Sequence, residues 1–238
     1  MKRLFAFVFL FSLFSVAQSQ IPVGTILPVQ LSTAIDSRKA SPGEQISARL
    51  MQEVDLGNRL KLRAGARIQG RIVSVDVYRV TFTFDQALLN HERVPLRTSL
   101  RALASMMDVQ EAQLPTNNAG GDRGSSIQDW TTEPIGGGAL YNPYGGELFE
   151  GNRPVGRSRN GGIIAQPVAV FGTKCRGDLG KGADQAFWVF SPSACGIYGM
   201  ELDVVHAGRS DPVGLITLQS HQRFVIRSGS SLLLRVLP

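Results

Sequence analysis

Histidine, cysteine and long apolar runs are scarce in this 238-residue chain. Its three histidines, His91, His206 and His221, lie far apart. No Gly-x-Ser-x-Gly elbow and no His-Glu-x-x-His pair occurs, so the sequence carries neither α/β-hydrolase nor zinc-protease motifs. Two cysteines, Cys175 and Cys195, fall short of the four ligands that a structural zinc takes. No metal and no cofactor is expected. Beyond residue 19 no apolar run approaches the ~20 residues of a spanning helix. Nor do Lys and Arg form a block interleaved with aromatics, the arrangement that neutralises and stacks a single-stranded nucleic acid. No nucleic-acid partner is expected.

What is present starts with a leader. Lys2 and Arg3 precede an apolar stretch from Leu4 to Phe14, and "SVAQSQ" follows, with Ala17 and Ser19 at minus three and minus one of a cut after Ser19. That order of charge, apolar run and small residues is a secretory signal peptide over residues 1–19. The protein is therefore expected to be exported: periplasmic, envelope-associated or extracellular. Loss of Lys2 and Arg3 with the leader lowers the formal charge of +6 by two, to +4. The remaining basic residues are scattered, which reads as a solvated mixed surface with a weak attraction to anionic lipid or acidic glycan.

One cadence recurs three times. "IPVGTILPVQL", "LRAGARIQGRI" and "IRSGSSLLLRV" open at Ile21, Leu62 and Ile226, with Gly24, Gly65 and Gly229 three residues on. Apolar residues follow at plus six (Leu27, Ile68, Leu232) and plus ten (Leu31, Ile72, Val236). A glycine that tolerates positive φ, followed by even spacing, predicts a tight turn and then a half-buried strand. "ASPGEQ" adds a type II turn, with Pro42 presetting φ and Gly43 supplying the third position. Ile46, Ala48 and Leu50 then alternate. "RIQGRIVSVDVYRVTFTFDQALL" is dense in β-branched and aromatic residues and reads as strand. "NHER" reads as a hairpin turn. In "VPLRTSLRALA" the residues Val94, Leu96, Leu100 and Ala102 are expected on one alternating face, with a short helix allowed after Leu103.

The expected fold is mostly β: a sandwich or barrel-like antiparallel domain. An N-terminal β module (20–112) and a C-terminal module (164–238) complete one core, and the repeated cadence at the end of the chain places the last strand beside the first. Between them, residues 113–163 are rich in Gly, Pro and Asn and are expected to be a long mobile insertion. Its aromatics Trp130, Tyr141, Tyr144 and Phe149, with Trp188 further on, are candidate partner-binding residues; the alternative is that they tack the loop to the domain surface.

Cys175 and Cys195 in an exported chain are expected to form a disulfide across a loop of about 20 residues. Glu201 and Asp203 sit two apart in a predicted strand, which places them on one face at a separation compatible with a glycosidase pair; a solvated sheet face is the plainer reading. Two classes of function follow: an exported non-enzymatic protein that binds other envelope proteins, or a glycan-binding or glycan-processing domain with Trp130, Tyr141 and Trp188 as stacking rings.

The stretch Ile21 to Leu100 resembles the β-domain of TrbI-type conjugation and type IV secretion core-channel proteins. The resemblance is carried by "IPVGT", by Ile35-Asp36-Ser37, by Pro42-Gly43 and by Gly65-Ala66 to Gly70, and it includes the terminal strand. It implies an envelope β-domain. The departures are a signal peptide in place of a membrane helix and proline-rich linker, the Gly-rich insertion and the cysteine pair, and channel function does not carry over.

Overall fold

The computed structural model describes residues 21–57, 60–89, 92–114, 116–117, 130–131, 134–136, 139–140, 146–150, 153–158, 165–167, 187–191 and 194–238. For 116–131 and 139–167 the description is of backbone only. The leader lies outside the described residues.

The strands run in chain order as Ile26–Leu31 (β1), Ile35–Asp36 (β2), Gln45–Leu50 (β3), Val54–Gly57 (β4), Leu60–Leu62 (β5), Arg67–Asp76 (β6), Arg79–Leu89 (β7), Glu92–Pro95 (β8) and Thr98–Ala104 (β9). A short helix, Met106–Glu111 (α1), follows. Then come Thr116–Asn117 (β10), Trp130–Thr131 (β11), Ala139–Leu140 (β12), Gly146–Glu150 (β13), Arg153–Ser158 (β14) and Ala165–Pro167 (β15). The last five are Gly196–Tyr198 (β16), Asp203–His206 (β17), Ile216–Gln219 (β18), Val225–Ile226 (β19) and Ser231–Val236 (β20).

The repeated cadence has a structural cause. Gly24, Gly43, Gly65 and Gly229 all have φ near +90°, at +89°, +87°, +87° and +92°. Each is the third residue of a turn closed by an N–H to C=O bond three residues back: Thr25 to Pro22, Glu44 to Ser41, Ala66 to Arg63 and Ser230 to Arg227. Each turn starts a strand two residues later. The turns also lock onto neighbouring strands. The N–H groups of Gly24 and Gly229 donate to Val236 and Leu31, while those of Gly43 and Gly65 donate to Ile72 and Leu50. Every acceptor lies seven residues past the glycine of its own turn. The ladders β1–β20 and β3–β6 are thus each fastened at both ends, and the last strand runs antiparallel beside the first.

Ten strands form one sheet in the order β16, β9, β20, β1, β3, β6, β7, β18, β17, with β8 also beside β7. The sheet curls until its ends approach each other at β9. There the N–H of Leu96 donates to Asp85 O (2.8 Å), that of Leu100 donates to Ala207 O (2.8 Å), and Thr98 Oγ1 donates to Phe84 O (3.1 Å). The result is a nearly closed barrel. Its interior is filled by the residues that the cadence marks, Leu27, Leu31, Leu62, Ile68, Ile72, Ile226, Leu232 and Val236, together with Ile46, Leu50, Phe82 and Phe84. The Phe82 and Phe84 rings meet edge to face, with centroids 5.9 Å apart.

Two local readings change. The long β-branched run is a hairpin, not one strand: Asp76 pairs with Arg79 across a two-residue turn, Val77-Tyr78. Neither central residue of that turn is Gly, Asn, Asp or Pro; Asp76 stands at its first position, and its Oδ1 accepts the Val77 N–H at 2.7 Å. In β9 all seven residues are buried, on both faces. A bulge at Arg101 breaks the alternation, since Leu233 faces Ala102 while Leu234 faces Leu100. Leu100 and Leu103 consequently point into the barrel, and Ala102 and Ala104 point outward into a second apolar cluster. The expected common face for Val94, Leu96, Leu100 and Ala102 is split at that bulge.

The second cluster packs Val109 and Ala112 of the helix region, Ile135, Phe187, Val189, Phe190 and Ala194 over the outer face of β1, β20 and β9. Ser105 caps α1, its hydroxyl accepting the Asp108 N–H at 3.1 Å. In the stretch where composition predicted a mobile insertion, backbone ladders β10–β11 and β12 to β14 are formed. Hairpin pairing satisfies main-chain N–H and C=O groups without a large apolar core.

Candidate functional site

Among the described residues, two grooves open at the barrel end where the β6–β7 tip, the β2–β19 ladder and the start of β17 come together. The ladder pairs Ile35 with Ile226 and Asp36 with Val225. Just beyond it, the Ser37 N–H donates to Phe224 O and the Phe224 N–H donates to Ser37 Oγ, both at 3.1 Å. These two hydrogen bonds hold the backbone of Phe224, next to Arg223. The Ser220 N–H donates to Tyr78 O at 2.9 Å and Arg79 donates from Nε and Nη2 to Gln219 Oε1 at 3.1 and 2.6 Å. The hairpin tip is thereby tied to the segment that carries Arg223.

Arg223 is exposed and forms a ridge between two grooves. One, about 340 Å³, has a floor of Met200, Leu202 and Phe224 and a wall of Glu201 and Gln222. The other, about 430 Å³, is lined by Arg38, Ala40, Val75, Asp76 and Val77. Met200, Leu202, Phe224, Ala40 and Val75 all rest on the barrel core while remaining partly open to solvent. Arg38 contacts Asp36 Oδ1 through Nε at 3.8 Å, and among the described residues Arg223 has no carboxylate within ion-pair distance.

Beside the first groove runs β17. Its hydrogen-bonded neighbour is β18, and the other side carries no strand pairing among the described residues. Val204 and Val205 on it are 37% and 52% exposed. His206 ends the strand. Its Nδ1 accepts the Gly208 N–H at 2.9 Å and lies 2.8 Å from Leu215 O, with Nε2 3.1 Å from Asp211 O. The ring anchors the loop whose Ala207 helps close the barrel.

The structure separates several residues that sequence spacing had grouped. Glu201 precedes β17 and its Oε2 accepts from Gln222 Nε2 at 3.4 Å, whereas Asp203 is the first strand residue and does not line the groove. The two acids are therefore divided between loop and strand rather than alternating along one strand. Trp188 is half-buried against the second cluster at φ +56°, its N–H donating to Gln52 Oε1 at 2.5 Å. Cys195 precedes β16; the Tyr198 hydroxyl accepts its N–H and donates to its carbonyl, each at 2.9 Å. Among the described residues there is no free cysteine. Cys175, Tyr141 and Tyr144 lie outside the described residues, and of Trp130 and Phe149 only the backbone is described. Pro42 and the turn glycines sit at strand starts, away from the grooves. Arg223, Arg38, Val204 and Val205 carried no motif in the sequence.

Among the described residues no group of three or more His, Cys, Asp or Glu side chains could hold a metal ion, and no helix is long and apolar enough to cross a membrane. Compared with protein-family models, curated proteins and solved structures, the chain matches none.

Proposed function

We propose that this chain is an exported, non-catalytic envelope protein whose barrel binds a protein partner by strand addition at β17. The observation that carries the reading is the side of β17 that has no strand partner among the described residues, before Ala207 O meets the Leu100 N–H, with Val204 and Val205 exposed beside a groove with an apolar floor. An unpaired edge offers N–H and C=O groups to an extended segment, and alternate side chains of that segment can enter an adjoining groove. The signal-peptide pattern and the resemblance to the core-channel β-domain support an envelope setting. A Cys175–Cys195 disulfide, formed on export, would hold the strand that precedes β17 in place.

The test is a photo-crosslinker at Val205, with Arg93 on β8 as a control, followed by the double variant Val204→Lys/Val205→Lys. A discrete crosslinked partner at Val205 alone, lost in the lysine variant while its unfolding free energy stays within about 0.5 kcal/mol of the parent, is the expected result. A complex that survives both lysines overturns the edge as the binding site.

A further inference from the structure

The β6–β7 tip is chemically odd. Two-residue turns ordinarily use Gly, Asn, Asp or Pro, yet this one presents Val77 and Tyr78, 44% and 49% exposed. Neither belongs to an apolar cluster of the fold. The tip ends the longest hairpin, whose strands have 10 and 11 residues, and its backbone is tied down through Tyr78 O. Val225 is 41% exposed on the adjoining ladder. Around these three stand Arg38, Lys39, Arg79 and Arg223, against the carboxylates of Asp36, Asp76 and Glu201.

We infer that this end of the barrel docks on an anionic lipid surface, with Val77, Tyr78 and Val225 entering the headgroup layer and the arginines facing lipid phosphates. Aromatic and aliphatic side chains at a rigid tip bury apolar area at the interface, and cations beside them add attraction to anionic headgroups. The cations outnumber the carboxylates at the tip by one, and this excess supplies the charge complementarity. This goes beyond strand addition at β17, and leaves that edge free for a protein partner.

The experiment uses the mature chain, residues 20–238, sedimented with vesicles of equimolar phosphatidylglycerol and phosphatidylcholine, and with phosphatidylcholine alone. The expected result is partition onto the anionic vesicles that weakens with added salt. Val77→Ser/Tyr78→Ser and, separately, Arg38→Gln/Arg223→Gln should each lower that partition at least tenfold with unchanged melting. Tyr78→Trp should show added quenching by brominated lipid. Equal partition onto both vesicles, or an unaffected tip variant, overturns the proposal. So does a tip variant that loses an envelope protein while the parent ignores vesicles, which makes the surface a protein interface. Val204→Lys/Val205→Lys should leave vesicle binding intact, so failure of the strand-addition reading is distinguishable.

Discussion

The N–H of Gly24 donates to the carbonyl of Val236 at 2.9 Å, and the Val236 N–H returns to Thr25 O at the same distance. The first described turn is thus bonded to the end of the last strand. Leu31 with Gly229, Ile72 with Gly43 and Leu50 with Gly65 repeat the arrangement. One short pattern, a glycine turn and an apolar residue seven positions later, therefore builds four strands and fastens them pairwise.

Gly24→Ala and Gly65→Ala test the turns. A Cβ at either meets nothing within 4 Å, so any cost is backbone conformation alone. Each is expected to lower unfolding free energy by about 1–2 kcal/mol in urea titration, with no change in the slope.

Gly70→Ala should be much worse. Its Cβ would overlap the main-chain carbonyl of Thr83, where β6 and β7 approach beside the Asp85 bulge. Backbone cannot yield as a side-chain tip does, and a loss above about 3 kcal/mol or failure to fold is expected. Near-parental stability would show that β6 and β7 are further apart.

Arg101→Leu should loosen the outer cover and spare the barrel. Buried Arg101 donates from Nε to Ala194 O at 3.1 Å and lies 5.0 Å over the Phe187 ring. Hydrogen exchange at residues 187–198 should accelerate at least tenfold while β1, β3 and β6 keep their protection, since local opening follows local contacts. Uniform acceleration would mean that cover and barrel unfold as one unit.

If Cys175 and Cys195 are linked as proposed, reduction should cost about 3 kcal/mol for a loop of that length in the chain-entropy model. Mass spectrometry of alkylated protein before and after reductant, with a urea titration of each form, measures both the bond and its effect. Alkylation without reductant would remove the disulfide from the account.

Much of the barrel was readable because its strands are half-buried and their turns demand glycine: Leu27, Ile68 and Leu232 are all fully buried. A related turn at Pro212-Val213-Gly214-Leu215, with Gly214 at φ +84°, repeats the "PVG" opening before β18, but the apolar residues that follow it fall in a different phase. The Val77-Tyr78 turn was unreadable, since its residue types are those of strands. The Arg101 bulge was equally hidden, because an inserted residue is visible only against its partner strand. The grooves share this limit: Arg38, Asp76, Glu201 and Arg223 come from four separate stretches.

The sequence by itself determined a β-rich chain with glycine-started strands and apolar positions at fixed offsets, because φ preference and side-chain alternation are local properties. Tertiary structure decided which strands pair, where the alternation slips and which arginine stands between the grooves. Those depend on hydrogen bonds and packing between segments distant in the chain, and no local pattern encodes them.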